Sequence, residues 1–243
     1  LPCAVKIATG KINAVTGNKW VDDLVNKPQD YIVIPDQPWL DGYCIQRGLV
    51  RQFVAMPLGD GYTAEEQLTK GDEHGGLQII VYPMKRDRYE AMLMRQSHTI
   101  YEDMNYSMKM MNVPSEMGLA PGGLMRQEIY DDEYGFDAWD FNSYSRCFVH
   151  ILNSSQWNSV TGKSVPGVPP SAVDYTGAGL PWFDYYDDKL SALKGGDKLS
   201  GLDSVAAKSI KLGKNSPQDN GVVTPNKIYL IGSKSTKVNE GHW

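Results

Sequence analysis

From Tyr31 to Met84 the chain is a succession of short β-branched and aromatic runs, each stopped by proline or glycine. Tyr31-Ile32-Val33-Ile34 ends at Pro35, Leu49 to Met56 follows an Arg47-Gly48 turn, and Leu77 to Tyr82 ends at Pro83. Proline removes a ladder donor and glycine admits positive φ, so this punctuation cuts the chain into strand-length pieces. No long amphipathic helix fits between them. In the run from Leu49 to Met56 both alternating faces carry apolar residues, which predicts an interior strand. Residues 38–84 read as one antiparallel sheet, joined by strands around Val5 and Ile7 and at 124–130, 147–152 and 227–231. Short helices are expected at 20–25, 89–93, 189–193 and 202–210, and at 154–160 behind Ser154 or Ser155 as a cap. Residues 63–68 fit either a helical turn or a strand. The expected fold is α+β and β-rich: an antiparallel sheet or sandwich with short helices and long irregular loops. One compact domain over 1–243 is expected, with the Pro- and Gly-rich stretch 162–170 as the candidate internal linker.

The aromatic residues suggest how such a fold meets its surroundings. The chain holds 14 Tyr and 6 Trp against 5 Phe. Tyr and Trp carry a polar handle on an apolar body, so this bias predicts half-buried rings on sheets, interfaces or ligand platforms. The net charge of −5 argues against a nucleic-acid partner. Lys85, Arg86 and Arg88 are interrupted by Asp87 and Glu90, which reads as a solvated, salt-bridging surface. No apolar stretch approaches the roughly 20 residues that span a bilayer, so no transmembrane segment is expected. Cys3, Cys44 and Cys147 lack zinc-site spacing and are compatible with one disulfide and a free thiol, or with three reduced thiols.

A six-residue pattern occurs twice: Pro38-Trp39-Leu40-Asp41-Gly42-Tyr43 and Pro181-Trp182-Phe183-Asp184-Tyr185-Tyr186. Read as a ligand site, Trp39 and Trp182 stack on a sugar ring or a protein partner. Asp41 and Asp184 accept hydrogen bonds, and Tyr43 and Tyr186 complete the platform. Read structurally, each Trp plugs a core edge while its Asp starts a turn.

A second cluster gathers Asp131, Asp132, Glu133, Asp137 and Asp140 among Tyr130, Tyr134, Gly135 and Trp139. Carboxylates around a glycine turn are the materials of a hard-cation site, although the spacing is not that of an EF-hand. No cofactor is required by any motif. If Ca²⁺ or Mg²⁺ binds, Asp131, Asp132, Asp137 and Asp140 are the expected ligands; otherwise the segment is a surface acidic loop.

The histidines are dispersed. His74 sits beside Glu73 in the loop Gly71–Gly76, the kind of segment that can cover a site. His150, inside an apolar run, is expected to be a partly buried structural residue. No nucleophile elbow, phosphate loop or dinucleotide fingerprint occurs. Two readings follow. The first is a non-catalytic binding or assembly module whose Tyr/Trp-rich loops contact protein, including a second copy, or carbohydrate. The second is a hydrolase using carboxylates, with or without a metal, built on residues 130–140 and the His74 loop.

Overall fold

A computed structural model describes residues 1–96, 117–165, 167 and 191–214, and the backbone of two segments, 182–185 and 228–231. Its first sheet holds β1 (Cys3–Thr9), β2 (Ile12–Asn13), β3 (Ile32–Ile34), β6 (Leu77–Pro83) and β8 (Ser145–Val149). Its order is β2-β1-β6-β8, and β3 also pairs with β1. A second sheet runs β4-β5-β7, from Gly42–Gln46, Leu49–Pro57 and Met117–Arg126. Every pairing within these two sheets is antiparallel. The described segments Trp182–Tyr185 (β9) and Ile228–Ile231 (β10) pair in parallel. The fold is α+β and β-rich, and β5 is the middle strand of its sheet, although Val50 is its one buried residue and the others are half-buried or exposed.

At β1, β3 and β6 the first sheet is covered on both faces. Ala4, Ile80 and Tyr82 pack with Leu24, Tyr31, Met84 and Trp139. Val5 and Ile32, with Ile7, Ile79 and Val81 at the margin, pack with Cys44, Val50 and Ile129. Residues 38–84 are therefore split: β4 and β5 belong to one sheet and β6 to the other. Periodicity reports which residues face a core but not which sheet they join.

Helices form where capping chemistry supports them. The ambiguous 63–68 stretch is α1 (Ala64–Thr69), started by a capping box between Thr63 and Glu66. Glu66 also accepts the Gly59 and Gly61 amides at 2.8 and 2.7 Å, which ties down the preceding turn. Helix α2 is Arg86–Gln96. Helix α3 (Ser154–Thr161) is capped by Asn153 rather than by either serine, with Gln156 closing the box. Residues 20–25 form no helix. Residues 191–193 are extended instead, and Tyr130 forms a β-bridge with Ala192. Beyond them Gly196 donates to the Cys44 carbonyl at 2.9 Å, and Tyr62 meets Ser209 at 3.0 Å. Of the expected linker, only 162–165 and 167 are described, and Gly162 ends α3 in the left-handed conformation. Residues 97–116, which include Met104, Met108, Met110 and Met111, lie outside the described residues.

Candidate functional site

The first aromatic motif is a tied loop. The Trp39 indole N–H donates to Asp41 Oδ2 at 3.0 Å, and Gln127 Nε2 donates to the same oxygen at 3.0 Å. Gln127 Oε1 in turn accepts the Asp41 amide at 2.9 Å. Gln37 bridges the Trp39 carbonyl and the Tyr130 amide, so this loop is bonded to the start of the acidic segment. Tyr43 is fully buried. It packs edge-on against Phe53 at 4.8 Å, donates to the Leu119 carbonyl and meets the Thr9 hydroxyl at 2.7 Å. Burial pushes its phenol well above the usual range. Tyr43 therefore has no surface to offer a ligand; strand alternation turns it inward from the loop that Trp39 occupies. In the second motif, Trp182 and Asp184 lie on β9, while Tyr186 falls outside the described residues.

The four aspartates expected to hold a cation have separate tasks. Asp132 organises the aromatic layer: its Oδ2 accepts Tyr31 Oη–H at 2.6 Å and Trp139 Nε1–H at 2.8 Å. Its Oδ1 accepts the amides of Tyr134 and Gly135. Asp137 pairs with Arg88, and its carbonyl accepts Lys85 Nζ. Asp140 caps a turn, where the Asn142 amide and the Ser143 hydroxyl hold its carboxyl below the usual range. Asp131 lines a cavity of about 790 Å³ beside Lys27, Arg47, Lys194 and Lys198. Among the described residues, no three His, Cys, Asp or Glu side chains are grouped to hold a metal ion. Asp132 already accepts four donors, which leaves that one carboxylate little capacity for a further ligand. Adding Ca²⁺ or Mg²⁺ is expected to leave the melting temperature unchanged in a thermal scan.

Rings neighbouring this hub reach the surface. Trp139 packs against Tyr31 and Tyr134 at 6.4 and 6.0 Å, and Phe136 packs against Phe141 at 5.0 Å. Phe141 and Tyr144 both lie against the buried Tyr82 ring. From Phe141 to His150 every residue is exposed, including Tyr144 at 51% and Phe148 at 44%. His150 is thus a surface residue, not a structural histidine of the interior. The run includes β8, which among the described residues pairs with β6 alone. Among the described residues no strand pairs with its other edge, which leaves backbone donors and acceptors available there. Sequence reading missed Phe141, Tyr144 and Phe148 as candidates. The available signal was Ser145 and Arg146 interrupting an aromatic run, a mark of an outer strand.

The His74 loop is the remaining candidate. The Glu65 carboxylate, on α1, accepts the His74 amide and the His74 Nδ1 at 3.1 and 2.9 Å, and the Gly75 amide at 2.9 Å. His74 and Glu65 line a cavity of about 360 Å³, which residues 130–140 do not enter. The two halves of the expected hydrolase site are therefore apart.

The chain matches no protein-family model, and neither the curated proteins nor the solved structures contain a match to it. Among the described residues, no helix is long and apolar enough to cross a membrane.

Proposed function

We propose that this chain is a non-catalytic binding or assembly module, and that it recognises an extended protein segment by strand addition at β8. The observation that carries the reading is the run Phe141–His150, exposed throughout, whose strand β8 is paired on one edge only among the described residues. A free strand edge offers backbone donors and acceptors at strand period, which another strand matches and a sugar does not. Phe141, Tyr144 and Phe148 would supply the apolar anchors around that edge. Carbohydrate is the weaker candidate, because the Trp39 N–H and Asp41 are already spent on each other and on Gln127. The twin motif accordingly serves this reading as scaffold in its first copy.

The partner strand that the protein itself supplies is a second copy. Antiparallel pairing of β8 about a two-fold axis at Cys147 would set Arg146 opposite Phe148, avoiding an Arg–Arg clash and allowing a cation–π contact. It would also bring the two Cys147 thiols face to face. Cys147 is exposed, whereas Cys44 is buried, with its thiol pushed up to about 12 by desolvation. Sedimentation equilibrium is expected to show a concentration-dependent dimer, and mild oxidation to trap it through Cys147. Phe148→Lys should weaken that dimer by roughly 1–3 kcal/mol, the value of burying one large apolar side chain. A strict monomer at all concentrations, with no Cys147-linked product, would retire strand addition between copies.

A further inference from the structure

We infer that the cavity between the first hairpin and the His74 loop is a binding site for a small phosphate group, with proton uptake by His74 on binding. The site is remote from β8 and independent of the assembly reading. Its walls come from three places in the fold: Lys11 in the β1–β2 turn, Lys19 and Trp20 just after β2, and Glu65, Glu73 and His74 from α1 and its following loop.

The imidazole is held in one orientation. A carboxylate only accepts, so the bond from Nδ1 to Glu65 Oε1 places the ring proton on Nδ1. In the neutral ring Nε2 carries the lone pair, and it has no protein partner among the described residues. Glu65 itself is nearly sealed, with a side chain 4% exposed. Its aliphatic part lies so close to Gly10 that a Cβ there would come within 2.7 Å. The loop, the buried carboxylate and the hairpin thus form one rigid wall.

The hairpin turn carries the second observation. Gly10 and Lys11 are its two loop residues, with φ of 53° and 58°, and Thr9 pairs with Ile12 across it. A turn with both central residues at positive φ is ordinarily filled by Asn-Gly or Gly-Gly. Lysine at the second position is strained, and such local misfits gather where a side chain has a task. Neither the Lys11 nor the Lys19 ammonium has a protein partner among the described residues. Lys6 is nearby under the Trp20 ring but is consumed by Asp30. Two unpaired ammonium groups and an imidazole able to become a cation suit a phosphate dianion. The opposing charges are Glu65, which the imidazolium would offset, and Glu73, exposed on the rim. On binding, Nε2 takes a proton from a buffer acid, so that an N–H bond forms as the acid's bond to that proton breaks, and donates the N–H to a phosphate oxygen; no bond to phosphorus forms or breaks.

Isothermal titration of the intact chain with inorganic phosphate near neutral pH tests this, run in two buffers of different ionisation enthalpy. The expected result is a Kd on the order of 1 mM, with fractional proton uptake. Lys11→Gly and Lys19→Ala should each weaken binding roughly tenfold, one charge-assisted contact apiece. Because glycine relieves the turn, Lys11→Gly should also raise the melting temperature, which separates lost binding from lost folding. His74→Gln should abolish the proton uptake, and Glu73→Gln should tighten binding. Absence of binding heat overturns the inference. So does affinity unchanged in Lys11→Gly and Lys19→Ala, or proton uptake that survives His74→Gln.

Discussion

Asp132→Ala is expected to destabilise the fold by roughly 3–5 kcal/mol, because it strands two buried donors at about 1–3 kcal/mol each and frees two loop amides. Tyr31 and Trp139 are 1% and 0% exposed, so water cannot replace the lost acceptor for their O–H and N–H. The amides of Tyr134 and Gly135 lose the same carboxylate, and with it the turn that leads to Phe136. Asp132→Asn keeps one carbonyl acceptor and should fall between the variant and the parent. Asp131→Ala, an exposed neighbour one residue away, should stay within about 0.5 kcal/mol. Urea unfolding followed by tryptophan fluorescence measures all three. Equal behaviour of Asp131→Ala and Asp132→Ala would contradict the assignment of Asp132 as the aromatic hub. A loosened hub should also loosen Phe141 and Tyr144, so Asp132→Ala is expected to weaken β8-mediated assembly at a distance.

The second large effect lies beneath Trp20. Lys6 and Asp30 form an ion pair at 2.6 Å with side chains 1% and 7% exposed, and Lys6 also donates to the Asp23 carbonyl at 2.6 Å. Asp30 accepts the Val25 amide as well, at 2.8 Å. Removing one member of a buried pair leaves the other charge uncompensated, so Lys6→Met should cost about 3–5 kcal/mol at neutral pH. The double variant Lys6→Met/Asp30→Asn should recover much of that loss, since no bare charge remains. The pH dependence follows from the carboxyl. Burial raises Asp30 above its ordinary value, against the pull of the Lys6 and Val25 hydrogen bonds. A carboxyl raised in the folded state favours folding when protonated, and that contribution is lost as pH rises through the folded value. Deleting Lys6 removes a force that lowers it and leaves desolvation, so the Lys6→Met deficit should shrink as the solution is made acidic. Denaturation curves at acid and neutral pH read the sign directly. A deficit that grows on acidification would show that the pair is not held as described.

The two aromatic motifs look alike in sequence, yet similarity of letters did not carry a shared role. Trp39 and Asp41 sit in a loop anchored by Gln127, whereas Trp182 and Asp184 belong to a parallel strand pair. Gln37, Gln127 and Asn13 gave no signal in the sequence, although each satisfies several buried backbone groups. A polar side chain becomes a scaffold element only when distant backbone arrives beside it, as Tyr130 does beside Gln37. Glu65 and Lys11 illustrate the same limit. They are 54 positions apart in number, and only the hairpin's approach to α1 puts both on one cavity.

Strand identity, turn positions and the β-rich class were written in short-range chemistry: Pro and Gly punctuation, β-branched runs and the Thr63–Glu66 box all act within a few residues. The tertiary structure alone decided that β4 and β6 part into different sheets, that Asp132 joins two buried rings, and that β8 is the end strand of its sheet among the described residues. Those outcomes depend on which surfaces meet, and burial and hydrogen-bond satisfaction are properties of the assembled chain, with no local counterpart for a periodicity to record.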